Sequence, residues 1–103
     1  MAEFVTLGPA TAVGDGEVKA FDANGTPVAV ARVDGQLHAF NDICTHRGCF
    51  LANGGELEDG AIYCECHGSG FSITTGEVVD PPATQPIAVY PVREQDGNIQ
   101  VEV

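Results

Sequence analysis

The chain has 103 residues, with fifteen acids against four bases (Lys19, Arg32, Arg47 and Arg93) and a net charge of −11. That length supports one domain, 1–103, with a modest stability margin that a metal centre or a cross-link between loops would improve. No apolar run approaches the ~18 residues of a membrane span, and no basic stripe offsets the repulsion of a phosphate backbone, so neither a membrane nor nucleic acid is expected as a partner.

The N-terminal M-A-E-F-V-T has no basic segment and no long apolar run, so no signal peptide is expected and a cytoplasmic location is. Thirteen Gly, six Pro and many short Val-bearing runs point to an all-β fold with tight turns. A first strand is predicted over 4–7, ended by Gly8-Pro9. A second, over 17–22, alternates polar and apolar side chains before a turn at Asn24-Gly25. Strands over 28–33 and 36–40 flank Asp34-Gly35, a two-residue hairpin turn that tolerates positive φ. This hairpin leads directly into Asn41–Cys44 and hangs the next loop from a rigid strand pair.

Residues 51–60 hold three glycines and three acids and are read as a loop. Short strands follow over 61–63, 71–73 and 77–79, the last two joined by a turn at 74–76. The pattern is that of a small β-subdomain, about 43–80, inserted into a larger one. Pro81, Pro82 and Pro86 rule out a central strand over 80–86 and make it a stiff extended loop. Strands over 87–92 and 99–103, around Asp96-Gly97-Asn98, close the main sheet. No useful helical periodicity and no internal repeat is present.

All four cysteines and two of the three histidines fall in C-T-H-R-G-C (44–49) and C-E-C-H-G-S-G (64–70). Three kinds of chemistry use such residues. A disulfide framework takes the four cysteines in one of three connectivities but gives His46 and His67 no role. A Cys2His2 zinc site suits the ligand types, although zinc ribbons favour pairs spaced C-x2–4-C and Cys44-x-His46 is tighter. A binuclear iron–sulfur cluster takes one thiolate and one imidazole from each loop. His38, on a strand with no cysteine beside it, is read as a packing or surface residue. Arg47, the lone base near the cluster of ligands, either contacts a partner or is solvated.

The two motifs resemble the signature of the Rieske [2Fe–2S] family in its disulfide-bearing version. The likeness extends to V-D-G-Q-L-H-A-F-N-D-I-C before them, and to T-G-E-V-V-D-P-P-A-T and I-A-V-Y-P-V after them. Essentially the whole chain from Glu17 onward is similar to small Rieske ferredoxins. The resemblance implies a Rieske-like antiparallel β-sandwich with an inserted cluster-binding β-subdomain. It implies one [2Fe–2S] cluster, with Cys44 and Cys64 on one iron and His46 and His67 on the other, and a Cys49–Cys66 disulfide joining the loops. Ser69 matches the position of a hydroxyl donor to a bridging sulfide. Phe71 stands where family members with a high potential often carry Tyr, and Glu65 replaces a common Pro. Fewer hydrogen bonds and more negative charge disfavour the reduced cluster, so a potential in the lower half of the Rieske range of roughly −150 to +300 mV is expected.

By the same resemblance the chain is an electron carrier and not an enzyme. It looks like the ferredoxin component of a bacterial ring-hydroxylating dioxygenase system. Its implied partners are a flavoprotein reductase and a terminal oxygenase, met as a monomer. A soluble subunit of an oxidase or nitrite reductase complex and a structural zinc module are the alternatives. The excess of acids serves solubility and, read functionally, steers the protein toward a basic docking face.

Overall fold

The computed structural model describes residues 3–45, 48–66 and 68–103. Its strands are β1 (Phe4–Pro9), β2 (Val18–Ala23), β3 (Thr26–Val33), β4 (Gln36–Asn41), β5 (Glu56–Glu58), β6 (Ala61–Tyr63), β7 (Gly70–Ser72), β8 (Val78–Asp80), β9 (Val89–Tyr90), β10 (Val92–Gln95) and β11 (Asn98–Glu102). A 3-10 turn, Ala10–Ala12, follows β1. Pairing is antiparallel and builds three sheets, ordered β1-β11-β10, β2-β3-β4-β9 and β5-β6-β7-β8. This is the expected all-β architecture.

Local chemistry explains most of the joints. Asn24-Gly25, Asp34-Gly35, Asp59-Gly60 and Asp96-Gly97 each have positive φ at both residues, the geometry that matches the twist of paired strands. They join β2 to β3, β3 to β4, β5 to β6 and β10 to β11. The first strand runs through Gly8-Pro9 rather than ending there, with a bulge between Thr6 and Gly8. As an edge strand, β1 tolerates a residue without an N–H. The segment expected as one strand over 87–92 is two. Val89–Tyr90 pairs with β4 and Val92–Gln95 with β11, because Pro91 interrupts the ladder where the chain changes sheets.

The sheet β2-β3-β4-β9 lies between two cores. Val28 and Val30 join Ala39, Ile99 and Val101 on the side of β1-β11-β10. Ala29 and Ala31 join Phe40, Leu51, Ile62, Phe71 and Ile73 on the other side. The four central residues of β3, 28–31, are fully buried, which is why the middle of this strand reads as an unbroken apolar run. The small side chains on the second face leave room for Phe40, Leu51 and Phe71, on which the cysteine-bearing loops rest.

Candidate metal centre

The first cysteine loop is anchored before it begins. The Asn41 backbone N–H donates to Ala88 O (2.9 Å), and its side-chain oxygen accepts from the Ile43 N–H (3.0 Å). Asp42 is 3% exposed. Its backbone N–H donates to Pro27 O (3.0 Å), its carbonyl accepts from Leu51 N–H (2.6 Å) and its carboxylate accepts from Ala52 N–H (2.8 Å). Burial pushes the Asp42 carboxyl above its ordinary value, opposed by the N–H groups of Ala52 and Leu51. The aspartate thereby pins both ends of the loop to β3 and β4.

Within the two loops the backbone repeats one pattern. Cys44 N–H donates to Cys49 O (2.7 Å) and Gly48 N–H donates to Cys44 O (2.9 Å). Cys64 N–H donates to Ser69 O (2.8 Å) and Gly68 N–H donates to Cys64 O (2.9 Å). Gly48 and Gly68 have φ of 77° and 79°, a left-handed turn that favours glycine. The flanking residues pair antiparallel in both cases, Ile43 with Phe50 and Tyr63 with Gly70. Cys44 and Cys64 are therefore equivalent, as are Cys49 and Ser69.

This frame turns the two leading cysteines inward. Cys44 and Cys64 are 2% and 3% exposed and belong to the same core cluster, with Phe40, Leu51, Ile62 and Phe71. Cys49 and Cys66 are joined in a disulfide between the loops, with Cα atoms 6.6 Å apart. The sulfur of Cys64 lies beside it, and the sulfurs of Cys49, Cys64 and Cys66 are all within 4.8 Å of one another.

The proline-bearing segment after β8 closes over both loops. It contains the cis bond Pro81-Pro82. The fully buried Ser69 accepts a hydrogen bond at Oγ from Ala83 N–H (3.1 Å), and Thr45 Oγ1 donates to Gln85 O (2.7 Å). Sequence reasoning missed these ties, because the partners are backbone groups far along the chain. At the entry to the segment, the Tyr63 hydroxyl is hydrogen-bonded to Asp80. That bond, with burial and the negative charges of Asp80, Glu58 and Asp59, raises the Tyr63 phenol above its ordinary value.

His46, Arg47 and His67 lie outside the described residues. His38 sits half-buried on β4 opposite Ala31, apart from the cysteine loops in the chain. Glu65 turns its carboxylate onto Gly54, where a Cβ would collide with it. Phe71 is fully buried between the cysteine loops and the central sheet. The donor set suits a thiophilic centre: two buried cysteines outside the disulfide head two equivalent loops in one apolar core. Ser69 uses its oxygen to accept from Ala83, so its hydroxyl proton remains available to donate.

A model of the Rieske [2Fe–2S] domain matches residues 3–91. The anthranilate 1,2-dioxygenase ferredoxin subunit of Burkholderia cepacia is 36% identical over 103 residues, spanning 100% of this chain and 94% of that protein. Among solved structures, the Sphingomonas yanoikuyae B1 ferredoxin superposes with a TM-score of 0.89 at 31% identity, covering 98% of this chain and 99% of that one. A ferredoxin–oxygenase complex of carbazole 1,9a-dioxygenase, described as reduced oxygenase with oxidized ferredoxin, matches with a TM-score of 0.87 at 31% identity, over 95% of this chain and 91% of that one. The chain belongs to the Rieske [2Fe–2S] domain family. Its cofactor is the [2Fe–2S] cluster of that family, and it is an electron carrier rather than a catalyst. No helix among the described residues is long and apolar enough to cross a membrane.

Proposed function

We propose that this chain passes single electrons from a flavin-dependent reductase to a terminal ring-hydroxylating oxygenase. The observation that carries the reading is the pair of equivalent loops that bury Cys44 and Cys64 in one core beneath the proline segment. In this assignment Cys44 and Cys64 hold one iron, and His46 and His67 the other. When bound, the cluster takes up and releases one electron at a time, chiefly on the iron held by neutral imidazoles. The loops and the proline segment exclude water and keep the ligands still as the charge changes. Ser69 donates its hydroxyl proton toward the centre, while the N–H of Ala83 fixes the orientation of that hydroxyl. The Cys49–Cys66 bond holds the loops together.

The chain acts as a single domain, 1–103, with a cluster-binding subdomain over about 43–80, and works as a cytoplasmic monomer. Its acidic surface favours partners with basic docking faces. Support for the oxygenase as acceptor comes from the names of its relatives and from the complex formed by a similar ferredoxin. The test is EPR before and after dithionite, followed by stopped-flow reoxidation with a purified oxygenase. A reduced signal with an average g near ~1.9 and rapid reoxidation are expected of a His/Cys-ligated centre. A colourless protein with stoichiometric zinc refutes the reading.

A further inference from the structure

The disulfide removes two sulfurs from a group of three. The sulfurs of Cys49, Cys64 and Cys66 all lie within 4.8 Å of one another. A tetrahedral zinc with bonds of about 2.3 Å holds its sulfurs about 3.8 Å apart. The Cys49 and Cys66 sulfurs, bonded to each other in the disulfide, therefore have to separate on reduction, with the Cys64 sulfur already within 4.8 Å of both. In the disulfide, the sulfurs of Cys49 and Cys66 carry no charge and make poor ligands, because the thiolate is the form that binds metal. Cys64 is buried, Cys49 is half-buried and Cys66 is exposed. The group is thus open on the Cys66 side, where a reductant and an incoming ion have access.

We propose that reduction of the Cys49–Cys66 disulfide turns Cys49, Cys64 and Cys66 into a three-thiolate site for a soft divalent metal such as zinc. A dithiol reductant loses two electrons and two protons and becomes a disulfide; Cys49 and Cys66 each gain one electron and one proton. The metal then displaces the thiol protons of all three residues. Thiolates select zinc-like ions over harder ones, and a thiol or water completes the coordination. The site shares Cys64 with the iron assigned above, so by that assignment the two occupancies exclude each other. The disulfide then does more than brace the loops: it keeps the cluster position from capture by the wrong metal.

Cobalt(II), a spectroscopic stand-in for zinc, is titrated anaerobically into the cluster-free full-length chain with and without a phosphine reductant. Cobalt-edge X-ray absorption counts the sulfur neighbours. A Cys44→Ala background keeps the remaining cysteine out of the count. Three sulfur neighbours are expected after reduction and at most one before it, and adding Cys64→Ala lowers the reduced count to two. Two sulfurs or fewer after reduction, in the chain that keeps Cys49, Cys64 and Cys66, overturn the proposal. If Cys44→Ala loses its β-sheet circular dichroism, the wild-type chain is compared with Cys49→Ser, where the reduced count must fall by one; an unchanged count overturns the proposal. Loss of the [2Fe–2S] EPR signal would refute the electron-carrier reading and leave these sulfur counts unaffected.

Discussion

The hydroxyl oxygen of Ser69 accepts a hydrogen bond from the backbone N–H of Ala83 at 3.1 Å, in a part of the protein closed to solvent. One side chain therefore joins the second cysteine loop to the proline segment and still has a proton to give. Ser69→Ala strands the Ala83 N–H in an apolar setting. A loss of about 1–3 kcal/mol is expected in denaturant unfolding. The reduction potential is also expected to fall, because a donated hydrogen bond favours the more negative reduced state. Spectroelectrochemical titration reads that shift, and an unchanged potential would remove the proton donor from the assignment.

Thr45 provides the matching tie from the first loop, donating to Gln85 O at 2.7 Å. Thr45→Val keeps the shape and removes the donor. Because the bond is exposed, its stability cost is expected at about 0.5–1.5 kcal/mol. The clearer effect is faster hydrogen exchange confined to 80–86, measured by mass spectrometry. Protection unchanged in that segment would show that Ser69 holds it alone.

How much of this was legible in the residues depends on how local the cause is. Asn24-Gly25, Asp34-Gly35 and Asp96-Gly97 announced their turns. Asp59-Gly60 carries the same signal, yet the residues of β5 before it read as loop. The Glu-Leu-Glu of Glu56–Glu58 is short, acidic and poor in β-formers. Cys44 and Cys64 stood out by motif, but the equivalence of their loops was hidden. His46 follows its cysteine by two positions and His67 by three, so the side chains disguise a shared backbone. The ties from Thr45 and Ser69 end on carbonyl and amide groups, which carry no sequence mark at all.

Asp42 gives a prediction about pH. Its carboxyl titrates above the ordinary 3.8 because it is buried. A raised folded-state value means that the contribution of this group to stability is fully present below that ordinary value. The contribution is lost as pH rises through the higher folded one. Asp42→Asn keeps an acceptor for Ala52 and carries no charge. Relative to wild type, its melting temperature is expected to be higher at pH 7 than at pH 4, as thermal unfolding at the two values would show. A gap that narrows with rising pH would contradict this.

Phe71 is fully buried in the core cluster that contains Cys44 and Cys64. Phe71→Tyr places a hydroxyl in that setting. A hydrogen bond to a ligand sulfur would stabilise the reduced state, and the potential is expected to rise. The added atom is expected to cost about 1–3 kcal/mol by overpacking. Redox titration and denaturant unfolding of the same sample separate the two effects.

The Cys49–Cys66 bond spans a sequence separation of 17. Cys49→Ser is expected to lower stability by about 3 kcal/mol, through the freedom returned to the unfolded chain. Unfolding of the variant, with and without reductant, checks this. The variant should be insensitive to reductant, whereas the wild type should weaken.

The alternation Val28, Ala29, Val30, Ala31 has a last consequence, for folding accuracy. β3 meets a different core on each face, valines toward one and alanines toward the other. A one-residue misalignment against β2 or β4 would exchange the two faces. Valines would then crowd Phe40 and Phe71 beneath the cysteine loops, while alanines left voids beside Ile99 and Val101. Both errors would arise together from a single mistake, so the penalty is doubled. The strand that carries none of the metal ligands therefore proofreads the alignment on which their placement depends.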